Sequence, residues 1–254
     1  MLEVKNLTVA YGKQEILHGI DLQADKGCVT TLVGKNGCGK STLLKAIAGV
    51  VPSRGGDILI DGCPVSDLSA KELAKKVAYL PQGRNLPEIT AGKLVLHGRF
   101  PYLKYPRSYS KYDRQIAEQA MEEMSVLSFW DVPISELSGG TRQKVYIAMA
   151  LAKRSSVILM DEPTTYLDME QQLRFAQLAK KLARQGKTVL LVLHDLLLAL
   201  KVSDSICIME QGKVTASAPA EEIFASNVLT HICNTKISAA ETFFGTQYYY
   251  DFNI

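Results

Sequence analysis

Hydrophobic positions along this chain follow two rhythms, and the order in which the rhythms alternate predicts the architecture. Leu2–Tyr11 and Ile16–Leu22 are short β-like runs around a Gly-Lys-Gln turn. Asp57–Ile60 is a third such run and ends in Asp61-Gly62, a hairpin signal. Val29–Val33, Val157–Met160 and Thr188–Leu193 read differently, as unbroken apolar runs of the kind that strands buried on both faces require. Helical periods alternate with them. Lys40–Val50 places Leu43, Leu44 and Ile47 on one side before Gly49 and Pro52. Asp168–Arg184 closes on Gly186, and another helix starts at Asp195. Strands alternating with helices predict an α/β fold with a mostly parallel sheet covered on both faces. From about Ala91 to Ala152 the chain is helical and more polar, an insertion in one compact unit. Gln211-Gly212 then joins two further short strands. No internal repeat and no Gly/Ser linker divides the chain.

Composition adds only limits. The 254 residues are 47% hydrophobic and 22% charged, enough for a sizeable core and unlike a disordered chain. Twenty-nine basic against 26 acidic residues leave a net charge of +3, too balanced for a wholly electrostatic nucleic-acid binder. Met1-Leu-Glu-Val-Lys lacks the apolar stretch of a secretion signal. The greasiest run, Val189–Leu200, is interrupted by His194-Asp195 and is shorter than the ~20 apolar residues of a membrane helix. The chain is therefore expected not to cross a membrane itself. Five scattered cysteines (28, 38, 63, 207, 233) without CxxC spacing argue against a disulfide framework or a zinc site and fit a reducing compartment.

Three motifs carry chemistry. Gly34-Lys-Asn-Gly-Cys-Gly39-Lys40-Ser41 fits G-x-x-x-x-G-K-[ST], with a predicted strand before it and a predicted helix after it. Glycines turn successive N–H groups toward phosphate oxygens and the helix start adds its dipole. Lys40 brings a point charge for β/γ-phosphates and Ser41 a hydroxyl for Mg²⁺. A chance Gly-rich turn of this form is rare, about once in a hundred chains of this length. Val157–Asp161 ends a buried strand on the pair Asp161-Glu162, suited to holding Mg²⁺ and polarising a water. An ordinary solvated strand end is the plainer reading of that pair alone; beside the Gly-rich loop the functional one prevails. Leu137-Ser138-Gly139-Gly140-Thr141 precedes a helix over about Thr141–Lys153 and offers a second anion cradle. One chain with two cradles and one such lysine is most simply half of a pair, each copy presenting its second cradle to the other's nucleotide.

In this order, with Ile158-Leu-Met-Asp-Glu-Pro-Thr164 and His194, the motifs resemble the ATPase subunits of ABC transporters across nearly the whole chain. The resemblance implies a P-loop NTPase core with a mostly parallel sheet, an antiparallel β subdomain and a helical insertion subdomain. Residues 1–90 and 154–229 are then the core, 91–153 the helical part with Leu137–Gly140, and 230–254 an extension. It also implies ATP and Mg²⁺ as cofactors. Asn36, Gly37, Cys38, Gly39 and Thr42 join Gly34, Lys40 and Ser41 around the phosphates, and Tyr11 stacks on adenine. Gln82 reaches Mg²⁺ and the attacking water, Asp161 and Ser41 complete the metal shell, and Glu162 with His194 serves catalysis. Ser138, Gly139, Gly140 and Asp168 face the partner copy's nucleotide. In isolation Tyr11, Gln82, Asp168 and His194 read as a core-edge tyrosine, a surface amide, a helix cap and a satisfied histidine; the joint pattern reverses this. Thr141 stands where the family has glutamine, and Lys35 at a loop position that more often holds Pro or a neutral residue is expected to point into water.

The implied partners are a second copy, membrane permease subunits and, indirectly, a substrate-binding protein, at the cytoplasmic face of a membrane. Leu94–Tyr102 and Tyr109–Asp113 resemble the ATPases that serve ferric-siderophore, haem and cobalamin importers. The competing reading is a non-transport ATPase acting on nucleic acid or ribosomes. Arg99–Arg114, with basic residues 99, 104, 107, 111 and 114 among four tyrosines, superficially suits it. A permease dock or solvated face is favoured, because the patch follows Gln82 and no second cassette is present. The aromatic tail reads as a hairpin on the core edge with Gly245-Thr246 near its turn, rather than as a dimer contact.

Overall fold

A computed structural model describes residues 1–82, 87–233, 235–243 and 245–251. β1 (Leu2–Tyr11) and β2 (Gln14–Ala24) pair antiparallel around Gly12-Lys13. β3 (Val29–Val33) runs into a loop and then α1 (Lys40–Ile47). β4 (Gly55–Ile60) and β5 (Cys63–Pro64) extend the hairpin into a four-stranded sheet of order β2-β1-β4-β5. α2 (Ala70–Lys76) leads directly into β6 (Val77–Leu80).

The helical arm follows, as α3 (Ala91–His97), α4 (Lys111–Glu123) and α5 (Gly139–Ala152). The chain then returns through β7 (Val157–Asp161), α6 (Met169–Arg184), β8 (Thr188–Val192), α7 (Leu196–Val202), β9 (Ser205–Glu210) and β10 (Lys213–Pro219). These strands form one sheet of order β10-β9-β3-β8-β7-β6, parallel except for β10.

All residues of β3, β7 and β8 are buried, and their two faces feed different cores. Ile158, Met160, Val189 and Leu191 pack against the helices of the arm and α6–α7. Their neighbours Val157, Leu159, Leu190 and Val192 pack against α1 and the antiparallel sheet. Period-two alternation within five-residue strands thus holds two layers together, and even their polar residues, Thr30, Thr31, Asp161 and Thr188, are buried.

Element ends moved slightly from the sequence reading. The predicted helix over Lys40–Val50 stops at Ile47. Gly49, at φ +71°, donates to Ala46 O and Val50 N–H to Lys45 O, a Schellman closure that turns Val50 into solvent. α5 starts at Gly139 rather than Thr141, because Ser138 already caps it by accepting the Thr141 N–H at 3.2 Å. The 230–254 extension begins inside a helix: α8 (Ala220–Ala225) and α9 (Val228–Cys233) precede the hairpin of β11 (Lys236–Thr242) and β12 (Gly245–Asp251). The hairpin rests on the core edge through Tyr248 against Phe224, ring centres 5.0 Å apart, and Lys201 Nζ to Gln247 Oε1 at 2.8 Å. Phe244 and Phe252 lie outside the described residues.

The basic patch requires a larger correction. Arg99 is only 5% exposed: its Nε meets Asp113 Oδ1 at 3.0 Å and its Nη1 donates to Ala152 O at 3.0 Å. It also lies 3.8 Å from the centre of the Tyr102 ring. Arg99 therefore braces the helical arm from within and offers nothing to a nucleic acid. Tyr105 and Tyr112 remain exposed on the arm's surface.

Candidate functional site at the ends of the parallel strands

Every parallel strand ends on the same side, and the loops that leave β3, β6, β7 and β8 meet there. After β3 the backbone enters the left-handed region at Gly34, Gly37 and Gly39. A Cβ on Gly34 would sit 2.1 Å from Met209 O, and one on Gly39 2.7 Å from Leu17 Cδ2, so a side chain fits at neither. The Gly34–Gly39 loop is clamped against β9 and β2, with α1 starting at Lys40. Lys40 is 6% exposed, and its Nζ donates to Gly34 O at 2.7 Å and Lys35 O at 2.9 Å. The ammonium is turned back on its own loop.

β7 delivers Asp161 to a site with 1% exposure. The Ser41 hydroxyl favours its ionised form, while Oδ1 has no hydrogen-bond partner. Burial nevertheless pushes this carboxyl above the usual value. A buried carboxylate oxygen without a donor, next to a hydroxyl, suits a divalent cation completed by phosphate oxygens and water. The residues present therefore fit Mg²⁺.

Glu162, at φ +51°, leaves the strand line, and its N–H donates to Val192 O at 3.1 Å. Its carboxylate is held from both sides: Gln82 Nε2 donates to Oε2, and His194 Nε2 bonds Oε1. Three loops thus converge on one carboxylate. A cavity of about 480 Å³ opens over these groups, walled by Asn36, Gly37, Gly39, Lys40, Ser41, Thr42, Gln82, Glu162 and His194. Ile16 of β2 completes the wall. Sequence reasoning missed it, since a half-buried aliphatic in a strand carries no chemical signal.

Two expected groups sit differently. Cys38 is 6% exposed, packed in the core beneath the loop, and its Sγ lies 3.7 Å from Lys40 Nζ. Its thiol does not wall the cavity, and its N–H is spent on Lys35 O at 3.3 Å. Tyr11, 46% exposed at the end of β1, is also outside the wall, and Lys35 faces solvent as expected.

The second cradle forms a separate cluster. Ser138 Oγ donates to Thr141 Oγ1 at 2.9 Å, so Thr141 fills the turn with a hydroxyl. A Cβ on Gly139 would lie 3.5 Å from Tyr166 Cβ, and one on Gly140 3.0 Å from Gln171 Oε1 and 3.3 Å from Tyr166 O. Asp168 caps α6 through Gln171 N at 2.8 Å and holds the Gln171 amide at 2.8 Å. Tyr166, at φ +71° and 77% exposed, projects from this cluster. None of Ser138, Gly139, Gly140 or Asp168 walls the cavity above Lys40.

The sequence and the fold are similar to those of known proteins. The family model described as "ABC transporter" matches residues 17–165. A petrobactin import ATP-binding protein of Bacillus anthracis is 36% identical over 248 residues, covering 96% of this chain and 91% of its own. An iron(3+)-hydroxamate import ATP-binding protein of Bacillus subtilis is 38% identical over 233 residues, 91% of this chain and 87% of its own. Among solved structures, a metal-chelate type ABC transporter in an inward-facing conformation superposes with a TM-score of 0.83 at 25% identity, covering 99% of this chain and 98% of that one. A dimeric bacterial ABC transporter cassette gives 0.77 at 30% identity, over 87% of this chain and 99% of that one. No described helix is long and apolar enough to cross a membrane. With the family model matching more than half of its length and these relatives nearly all of it, the chain belongs to the ABC transporter family, as one of its ATPase cassettes.

Proposed function

We propose that this chain energises uptake of an iron chelate, a siderophore or haem complex or the related corrinoid cobalamin, through a separate membrane permease. In this reading two copies close on two ATP molecules at the cytoplasmic face, and a substrate-binding protein hands cargo to the permease. One observation carries the ATPase reading. Lys40 and Ser41 wall one cavity with a Glu162 carboxylate held by Gln82 and His194, and the buried Asp161, its Oδ1 without a partner, precedes Glu162 at the end of β7. The choice of cargo rests on the import roles named for the relatives and on the metal-chelate transporter.

ATP phosphates displace the Gly34 and Lys35 carbonyls from Lys40, while N–H groups of the Gly34–Gly39 loop and the start of α1 receive the remaining charge. Mg²⁺, when bound, neutralises charge developing between the β- and γ-phosphates. Ser41, Asp161 and Gln82 would hold it. Glu162 accepts a proton from the attacking water, and His194 fixes the carboxylate and reaches toward the γ-phosphate. Tyr11 supports adenine. Ser138, Gly139, Gly140 and Asp168, standing apart from the cavity, act on the nucleotide of the second copy. The nucleic-acid reading loses one of its five basic residues with Arg99 buried, and the relatives are import subunits.

Glu162→Gln keeps the amide and ring contacts available but removes the base. It should bind ATP, accumulate as a dimer and lose at least about a hundredfold in turnover. Turnover near wild type would remove Glu162 from the mechanism. Loss of growth on ferric chelates in a deletion strain, restored by wild type and not by Glu162→Gln, tests the cargo.

A further inference from the structure

A second cleft, of about 170 Å³, lies where the helical arm meets the core, apart from the residues that wall the ATP cavity. α4 and α5 supply one side of it, β7 and α6 the other, and the connection Lys153–Ser156 runs through it. Its polar inventory is lopsided. Arg154, held at φ +52°, and Lys187 both line it, and Lys187 Nζ lies 3.4 Å from Arg154 O. Among the described residues neither cation forms an ion pair. Arg154 is steered by neutral groups instead: Nη1 donates to Tyr112 Oη at 3.1 Å and Nη2 to Gln119 Oε1 at 2.9 Å. The one carboxylate in the lining, Glu123, is taken by Lys181 at 2.5 Å. Ser155, next to Arg154 along the chain, lines the same cleft; it is 1% exposed, and its hydroxyl is buried without a hydrogen-bond partner.

Two like charges brought together cost free energy, and so does a buried hydroxyl with nothing to bond. Burial and then Arg154 push the Lys187 amine below its usual value, which is the same cost seen from the lysine. An anion with several oxygens removes all of these costs at once. We propose that this cleft binds a phosphate-type oxyanion, with Arg154 and Lys187 supplying charge and the Ser155 hydroxyl a directed hydrogen bond. Because the walls come from both the arm and the core, the bound anion ties the two parts together across their connection.

The test is calorimetric titration of inorganic phosphate into the full chain at constant ionic strength. Mg²⁺ and excess non-hydrolysable ATP analogue are present, so the Gly34–Gly39 loop is already filled. One saturable phosphate site is expected, weakened at least about tenfold in Ser155→Ala and in Lys187→Gln. Nucleotide affinity should stay unchanged in both, which shows that the variants fold. Orthophosphate binding better than methyl phosphate identifies a free ion as occupant; the reverse identifies a phosphorylated metabolite. No saturable binding, equal binding in all three proteins, or succinate binding where phosphate does not, each overturns the proposal. ATPase failure with phosphate binding retained would bear on the ATP site alone.

Discussion

Arg99→Met removes one guanidinium that braces three parts of the helical arm. The methionine refills much of the aliphatic volume but supplies none of the donors to Asp113 and Ala152, and no cation over Tyr102. Removing one partner of a buried pair costs about 3–5 kcal/mol. Asp113 keeps the Ser110 hydroxyl at 2.6 Å and the Ser110 N–H at 3.0 Å, which places the loss near the lower end. A cost of about 3 kcal/mol lowers the melting temperature of a chain this size by roughly 6–12 °C. The acid limb carries the same information. Burial would raise the Asp113 carboxyl, but the Ser110 bonds and Arg99 outweigh it and hold the group below its usual value. A depressed carboxylate contributes stability that is present above its unfolded value, about 3.9, and lost as pH falls through the folded one. Without Arg99 the folded value rises toward the unfolded one, so less stability is lost on acidification and the loss is complete at a higher pH. Urea unfolding of wild type, Arg99→Met, Asp113→Asn and the double variant, at neutral and mildly acidic pH, measures both effects. The double variant should suffer less than the sum of the singles by more than about 1 kcal/mol. A cost below about 1 kcal/mol for Arg99→Met, or strict additivity, would refute the brace.

Asp161 behaves in the opposite sense. Its carboxyl is raised by burial, so the native state holds a proton longer than the unfolded chain, and stability falls as pH rises from about 3.9 through the folded value. Asp161→Asn should flatten that slope in denaturant titrations of nucleotide-free protein while abolishing Mg²⁺-dependent tightening of ATP binding; an unchanged slope would contradict the burial argument. Gly34→Ala sets a Cβ against Met209 O and should abolish ATP binding, read by nucleotide fluorescence; retained affinity would mean the loop is not clamped on β9. Cys38 should alkylate more slowly than the half-buried Cys28 and Cys63, and more slowly still with ATP, as followed by peptide mass spectrometry. Fast modification of Cys38 in the nucleotide-free chain would show that the thiol is not packed under the loop.

The Gly34–Ser41 loop was legible in the sequence because its conformation depends on glycines at fixed spacing, and spacing is what a sequence records. The same holds for Asp161-Glu162, placed by an apolar strand that has to end. Arg99 was not legible. A basic residue among tyrosines and lysines looks solvated, and only the packing of α4 and α5 puts Asp113 and Ala152 O within its reach. Cys38 was misjudged for a related reason: membership of a loop says nothing about which way a side chain turns, and β9 takes it into the core. Ile16 reaches the cavity only because the antiparallel sheet folds over the loop, a contact between distant segments. The joining of cradle and cap through Tyr166, Gln171 and Gly140 likewise arises from tertiary contact.

The back-turned Lys40 has a consequence for experiments that use it. Its ammonium tethers the carbonyls of Gly34 and Lys35 and so keeps the loop in shape. Replacing Lys40 by a neutral residue does more than weaken the grip on phosphate. It cuts the tether, so an inactive Lys40 variant reports the loss of a shaped loop together with the loss of a charge, and the two are separated only by probing that loop in the absence of nucleotide.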